Sequence, residues 1–114
     1  TNIKNFRLKK NVKNFNIDIR NFVKLNKIIT KIKPDFIFHF AAQSLVGKSF
    51  KNPVYNFETN FNGTLNLLEV LRLSKFKCIS IIITSDKSYK NLEVKRGYNE
   101  NDILGGKEAW ENVD

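Results

Sequence analysis

Thr84, Ser85, Asp86 and Lys87 place two hydroxyls, a carboxylate and an ammonium in consecutive positions, directly after the apolar run Cys78–Ile83. Once partly buried, a neighbouring carboxylate and ammonium can differ strongly in pKa, which puts an acid and a base in one site. A hydroxyl beside them can hydrogen-bond a reacting oxygen. The same four residues also read as the ordinary polar end of a strand. Other candidates are scattered upstream. Asp18 follows Ile17, where a carboxylate either accepts a hydrogen bond from an adenine amino group or caps a helix. "AAQS" (41–44) uses two alanines where larger side chains would crowd a ligand, although small residues suit any tight turn. His39 lies inside an apolar run, as a core histidine does. Asn60 falls on the inner side of a long helical pattern, where its amide can bridge backbone groups or hold a water.

Three strands and two helices would have to position these groups. Phe15, Ile17 and Ile19 alternate with polar neighbours, which predicts a short strand over 14–19. Phe22, Leu25, Ile28, Ile29 and Ile32 recur at three-to-four spacing, which predicts a helix over 21–33 ended by Pro34. "DFIFHF" (35–40) reads as a strand covered on both faces. A loop follows, with a helical turn near 46–50. Asn52-Pro53 then supplies a cap and a first helical residue. The helix they start should run to Ser74, about 33 Å at the α-helical rise. Val54, Phe57, Phe61, Leu65 and Leu68 form its expected core stripe. Gly63 in its middle implies close approach of a neighbour. "CISIIIT" (78–84) is the third strand. The segment beyond it is loop-like, broken by Gly97, Gly105 and Gly106. The order β-α-β-α-β predicts an α/β layered fold with a parallel sheet, in which ligands bind beyond the carboxyl ends of the strands.

Totals narrow the class. The chain of 114 residues, 41% of them hydrophobic, suits one globular domain. It contains no apolar run of membrane-spanning length and no secretory leader pattern. The lone Cys78 allows neither an internal disulfide nor a zinc cluster, and no metal site is expected. A reducing cytoplasm is the expected compartment. The net charge of +9 admits a small basic nucleic-acid-binding module as an alternative. The lysines are dispersed, however, whereas phosphate binding calls for a focused patch.

The residues also carry a family resemblance. "FHFAAQSLVGKSFKNPVYNFETNFNGTLNLLEVLR" (38–72) resembles the middle of the extended short-chain dehydrogenase/reductases that modify nucleotide sugars. "TSDKSYKN" (84–91) with "GYNENDILGG" (97–106) is similar to the CDP-glucose 4,6-dehydratases among them. Their sister enzymes carry Thr-Asp-Glu where Asp86-Lys87 stands. The resemblance implies an NAD-dependent conversion of CDP-glucose to CDP-4-keto-6-deoxyglucose with loss of water. It implies Ser85 at the sugar's C4 oxygen, Asp86 as the acid for the leaving C6 hydroxyl, and Lys87 as a base or an orienting group. Asp18 and Ile19 match adenine contacts. Ala41, Ala42, Gln43 and Asn60 match positions along the cofactor, and Thr84 ends the strand beneath the nicotinamide. The helix over 53–74 resembles one that pairs in a homodimer.

Two family features do not occur in the sequence: the GxxGxxG turn that seats a pyrophosphate on a helix N-terminus, and the Tyr-x-x-x-Lys pair that drives hydride transfer. The expectation is therefore a partial Rossmann-like, doubly wound NAD-binding domain over 1–114. It would lack the first two strands and the substrate domain, with 107–114 as an atypical tail. In strand order 3-2-1-4-5-6 such a piece leaves strand 4 with a bare apolar edge. It should be marginally stable and inactive alone. Another nucleotide-sugar dehydratase or epimerase is the alternative within the class. On this reading, the eliminating half of an active site is present and the hydride-transfer half is not.

Overall fold

The computed structural model describes residues 12–85 and 88–105. Helix α1 spans Phe22–Ile32, strand β1 Phe36–His39, helix α2 Val46–Lys51, and helix α3 Pro53–Phe57. A π-helical segment, Glu58–Asn62, leads without a break into α4, Gly63–Leu73, and strand β2 is Ile79–Ile82. The two strands pair in parallel, Phe36 opposite Ile79 and His39 opposite Ile82. The ladder runs one bond further at each end, Ile79 N–H to Asp35 O and Ile83 N–H to His39 O.

Local chemistry sets the element ends. The Asn21 side chain accepts the Lys24 N–H at the start of α1, and Lys33 closes the helix in a left-handed conformation just before Pro34. Asn52 accepts the Tyr55 N–H at the start of α3, with Pro53 in the first turn. Both starts fall where the sequence placed them.

Three expectations are corrected. Residues 14–19 form no strand. A lone extended segment needs a neighbouring edge for its N–H and C=O groups, and among the described residues β1 pairs only with β2. The chain instead turns at Asp18, whose carbonyl accepts the Asn21 N–H. The second correction concerns the sheet, which among the described residues is covered on one face only. Ile37 packs against the core of Ile29, Leu67 and Val70. Phe36, Phe38, Ile79 and Ile81, on the opposite face, remain 40–59% exposed.

The third correction is the core stripe of the long helix. Val54, Phe57, Phe61, Leu65 and Leu68 are 45–67% exposed, while Thr59, Gly63, Leu67 and Val70 are buried. The two sets are offset by two residues, roughly 200° around a helix. Apolar side chains run almost all the way round α4, so spacing alone could not choose the inward face. The choice is made by α1, which packs its Phe22, Leu25 and Ile29 against Leu67 and Val70.

Gly63 meets its expected neighbour. A Cβ there would lie 2.6 Å from Ile19 Cγ2. Three residues on, Asn66 Nδ2 donates to the carbonyls of Ile19 (3.1 Å) and Arg20 (3.0 Å), tying the turn to α4.

Candidate active site

The carboxyl ends of β1 and β2 open into one cavity of about 650 Å3. Its walls include Ala41, Ala42, Gln43, Asn60, Thr84 and Ser85, six of the residues singled out from sequence. Parallel pairing causes this convergence, because it brings the residues after His39 and after Ile82 to the same edge. The volume falls in the range of small-molecule sites.

The π-helical segment arranges the far wall. Gly63 N–H bonds to Glu58 O, five residues back, so the turn holds one residue more than an α-turn. Threonine hydroxyls each donate to the carbonyl four residues back: Thr59 to Tyr55 O at 2.8 Å and Thr64 to Asn60 O at 2.7 Å. The Asn60 carboxamide then reaches across to the loop. Its Oδ1 accepts the Gln43 N–H at 2.7 Å and its Nδ2 donates to Gln43 O at 3.1 Å. Of the two sequence alternatives for Asn60, bridging backbone groups is the one realised.

His39 is buried, 6% exposed, at the base of the cavity. Its Nε2 lies 3.0 Å from Thr64 Oγ1, as expected of a satisfied core histidine. Burial pushes its pKa below the ordinary 6.5. The unfolded chain therefore takes up a proton near pH 6.5 that the folded chain resists. Stability should be fully present above that pH and fall as the pH drops below it. Urea titrations between pH 5 and 8 should show this slope, and His39→Gln should flatten it.

Asp18 and Ile19 lie apart from this group. Asp18 lines a second cavity with Arg20, Asn21, Glu58, Asn62 and Asn66, and the Ile19 side chain packs on Gly63. The Asp18 carboxylate caps no helix. It accepts the Arg20 backbone N–H at 2.9 Å and the Arg20 guanidinium at 2.7 Å, bonds that hold its pKa down at about 2. The guanidinium also reaches Glu58 at 3.2 Å and lies 4.6 Å above the Tyr55 ring. Asp86 and Lys87 fall outside the described residues. Of the residues on either side of them, Ser88 donates both its N–H and its hydroxyl to Ser85 O.

Residues 88–105 fold back on themselves. Tyr89 pairs with Leu104 in an antiparallel bridge, and its ring stacks on Tyr98 with centroids 5.0 Å apart. Arg96 grips Asp102 through two bonds of 2.7 and 2.6 Å, and Asp102 also accepts the Asn99 N–H. These bonds lower the Asp102 pKa from 3.8 to about 2. The loop contact is thus intact above pH 4 and should be lost only as the pH falls through about 2. The Asn99 amide shift should report that midpoint, and Asp102→Asn should abolish it. Thr64 and Asn66 were not visible as supports in the sequence, nor the Arg96–Asp102 pair as a clamp within its loop, because nothing local to them names their partners.

Among the described residues no group of three or more His, Cys, Asp or Glu could hold a metal ion. No helix among them is long and apolar enough to cross a membrane.

Comparison with known proteins decides the family. The profile described as GDP-mannose 4,6 dehydratase matches residues 1–106. The chain belongs to this family. Within the GDP-mannose 4,6-dehydratase family it is 43% identical to CDP-glucose 4,6-dehydratase of Salmonella typhimurium over 96 residues, 83% of this chain and 26% of that enzyme. It is also 43% identical to CDP-paratose 2-epimerase of Salmonella typhi over 83 residues, 73% of this chain and 24% of the relative. The chain thus spans about a quarter of the length of these relatives. The crystal structure of Thermus thermophilus UDP-glucose 4-epimerase in complex with NAD superposes with a TM-score of 0.69 at 27% identity, covering 87% of this chain and 33% of that one. The expected α/β Rossmann-like class is therefore the observed one, present as a part.

Proposed function

We propose that this chain is the middle of the NAD-binding domain of a CDP-glucose 4,6-dehydratase, which converts CDP-glucose to CDP-4-keto-6-deoxyglucose and water. The observation that carries the reading is the meeting of Ala41–Gln43 with Thr84 and Ser85 around one cavity at the carboxyl ends of β1 and β2. The 43% identity to the Salmonella typhimurium enzyme supports the choice of reaction.

The cavity fits one end of a dinucleotide. Ala41 and Ala42 leave room for a flat ring, and the loop that bears them is held by Asn60. NAD held against Ala41, Ala42 and Gln43 would supply a hydride acceptor for C4 of the glucose and a hydride donor for C6. The remaining work falls to the chain's own side chains. Ser85 hydrogen-bonds the C4 oxygen and holds it over the cavity. Asp86 protonates the departing C6 hydroxyl, which leaves as water with the C5 proton removed. Lys87, next to that carboxylate, takes the C5 proton or orients the group that does. Asp18, at the second cavity, and its neighbour Ile19 serve the adenine end. For Asp18 to accept an adenine amino proton, it must share a carboxylate already bonded to Arg20.

No tyrosine here is followed by lysine four positions on, so the chain alone should form no 4-keto product. The exposed stripe Val54, Phe57, Phe61, Leu65 and Leu68 is the face through which the helix over 53–74 would pair with a second copy. The cytoplasm is the fitting compartment for a nucleotide-sugar enzyme with one thiol, Cys78.

Amide shift mapping tests the reading on the chain itself. Millimolar NAD should move Ala41, Ala42, Gln43, Thr84 and Ser85 and leave the lysines of α1 unmoved. Shifts confined to Lys24, Lys27 and Lys31, produced by short DNA and abolished by salt, would instead establish the basic binding module. The likeness to the Salmonella typhi epimerase favours a second reading, a 2-epimerase segment. It keeps the cofactor site and assigns no acid role to Asp86.

A further inference from the structure

A chain of hydrogen bonds leads from the end of β1 to the loop that walls the cavity. His39 Nε2 lies 3.0 Å from Thr64 Oγ1, and Thr64 Oγ1 lies 2.7 Å from Asn60 O. The Asn60 carboxamide continues to both backbone groups of Gln43. A threonine hydroxyl has one proton, and a carbonyl oxygen can only accept. The 2.7 Å contact therefore uses the Thr64 proton, and Thr64 Oγ1 faces His39 as an acceptor. The hydrogen between His39 and Thr64 must then belong to Nε2. This fixes the polarity of the whole chain: His39 Nε2–H to Thr64 Oγ1, and Thr64 O–H to the Asn60 carbonyl.

The link matters because of the π turn. Its extra residue displaces carbonyls from the usual ladder, and Asn60 is at once the residue whose carbonyl Thr64 anchors and the one whose carboxamide grips Gln43. A valine at 64 would fill the same space. It could neither accept the His39 hydrogen nor anchor the carbonyl.

We propose that His39 and Thr64 are positioning residues for the cavity: through Asn60 they hold Gln43, and with it Ala41 and Ala42, in the shape that receives the ligand. That Gln43 wall is the cofactor wall only on the reading given under Proposed function. The rigidity of Gln43 can be measured without any cofactor.

The test uses the whole chain, labelled with 15N. Long-range 1H–15N correlation should show His39 as the Nε2–H tautomer. Thr64→Val should speed Gln43 amide exchange about tenfold, the change expected from losing one well-made hydrogen bond. Leu67 and Val70 amides in the adjacent core should hold their rates within about twofold, and Thr64→Ser should restore Gln43. An Nδ1–H tautomer would overturn the proposal. So would unchanged Gln43 exchange in Thr64→Val, or a rise shared equally by Leu67 and Val70. If NAD fails to shift Ala41–Gln43 while Thr64→Val still loosens Gln43, the cofactor reading fails and the relay stands. The converse result separates them the other way.

Discussion

Gly63→Val should cost this fold about 2 kcal/mol and release the turn at Ile19 and Arg20 from α4. The steric argument is direct, since even a Cβ at this position would come within 2.6 Å of Ile19 Cγ2. That carbon is a methyl attached at Ile19 Cβ, so the side chain cannot swing its tip aside, and the backbone of the turn must move. Overpacking of this kind typically costs about 1–3 kcal/mol, offset by a few tenths from better helix propensity than glycine. Gly63→Ala gains about 1 kcal/mol in propensity, so its net loss should be smaller. Displacing Ile19 would also lengthen the bonds from Asn66 Nδ2 to the Ile19 and Arg20 carbonyls. Thermal unfolding reads the first effect as a fall of roughly 4–8 °C per kcal/mol for a domain of this size. The Asn66 side-chain amide resonances read the second.

Asn60→Leu should destabilise by a similar amount, about 1–3 kcal/mol, for a different reason. It leaves the Gln43 N–H and C=O without their partners at the wall of the cavity, and unsatisfied groups are costlier than the bonds themselves. Asn60→Asp is the sharper variant. One carboxylate oxygen can still accept the Gln43 N–H, but the other opposes the Gln43 carbonyl where Nδ2 used to donate. Only the protonated acid can restore that bond, so folding should raise the aspartate's pKa. The sign follows: this variant's stability is fully present below the unfolded carboxylate pKa of about 4 and is lost as the pH rises through the folded value. Wild type should show no such loss on the alkaline side of pH 4. Urea titrations from pH 3.5 to 7 would reveal the difference.

Much of this was legible in the residues. Asn21 and Asn52-Pro53 announced their helices because capping is local, decided by three or four adjacent residues. Phe36–His39 and Ile79–Ile82 announced a parallel pair by their nearly unbroken apolar character. What depended on distant partners was not legible. Residues 14–19 alternate like a strand, yet alternation cannot supply an edge to pair with. The stripe Val54–Leu68 is as regular as the buried one, and only the docking of α1 selects between them. The π turn has no marker in the sequence. Its stability comes from Thr59, Thr64 and Asn60 bonding to carbonyls and to a loop that the sequence does not show to be near. Gly63 signalled a close approach but could not name Ile19. At the site itself, parallel topology united Ala41–Gln43 with Thr84 and Ser85 as expected, and it left Asp18 at a separate cavity.

A segment exchange measures most directly whether this chain is part of a CDP-glucose 4,6-dehydratase. Residues 12–105 would replace the matching stretch of the Salmonella typhimurium CDP-glucose 4,6-dehydratase, which supplies the remaining three quarters of the enzyme. The exchanged enzyme should convert CDP-glucose to CDP-4-keto-6-deoxyglucose. Asp86→Asn in the exchanged segment should lower that rate by on the order of 10²–10⁴-fold, the usual worth of a positioned general acid. A folded, NAD-loaded exchange enzyme that leaves CDP-glucose untouched, or one indifferent to Asp86→Asn, would contradict that assignment.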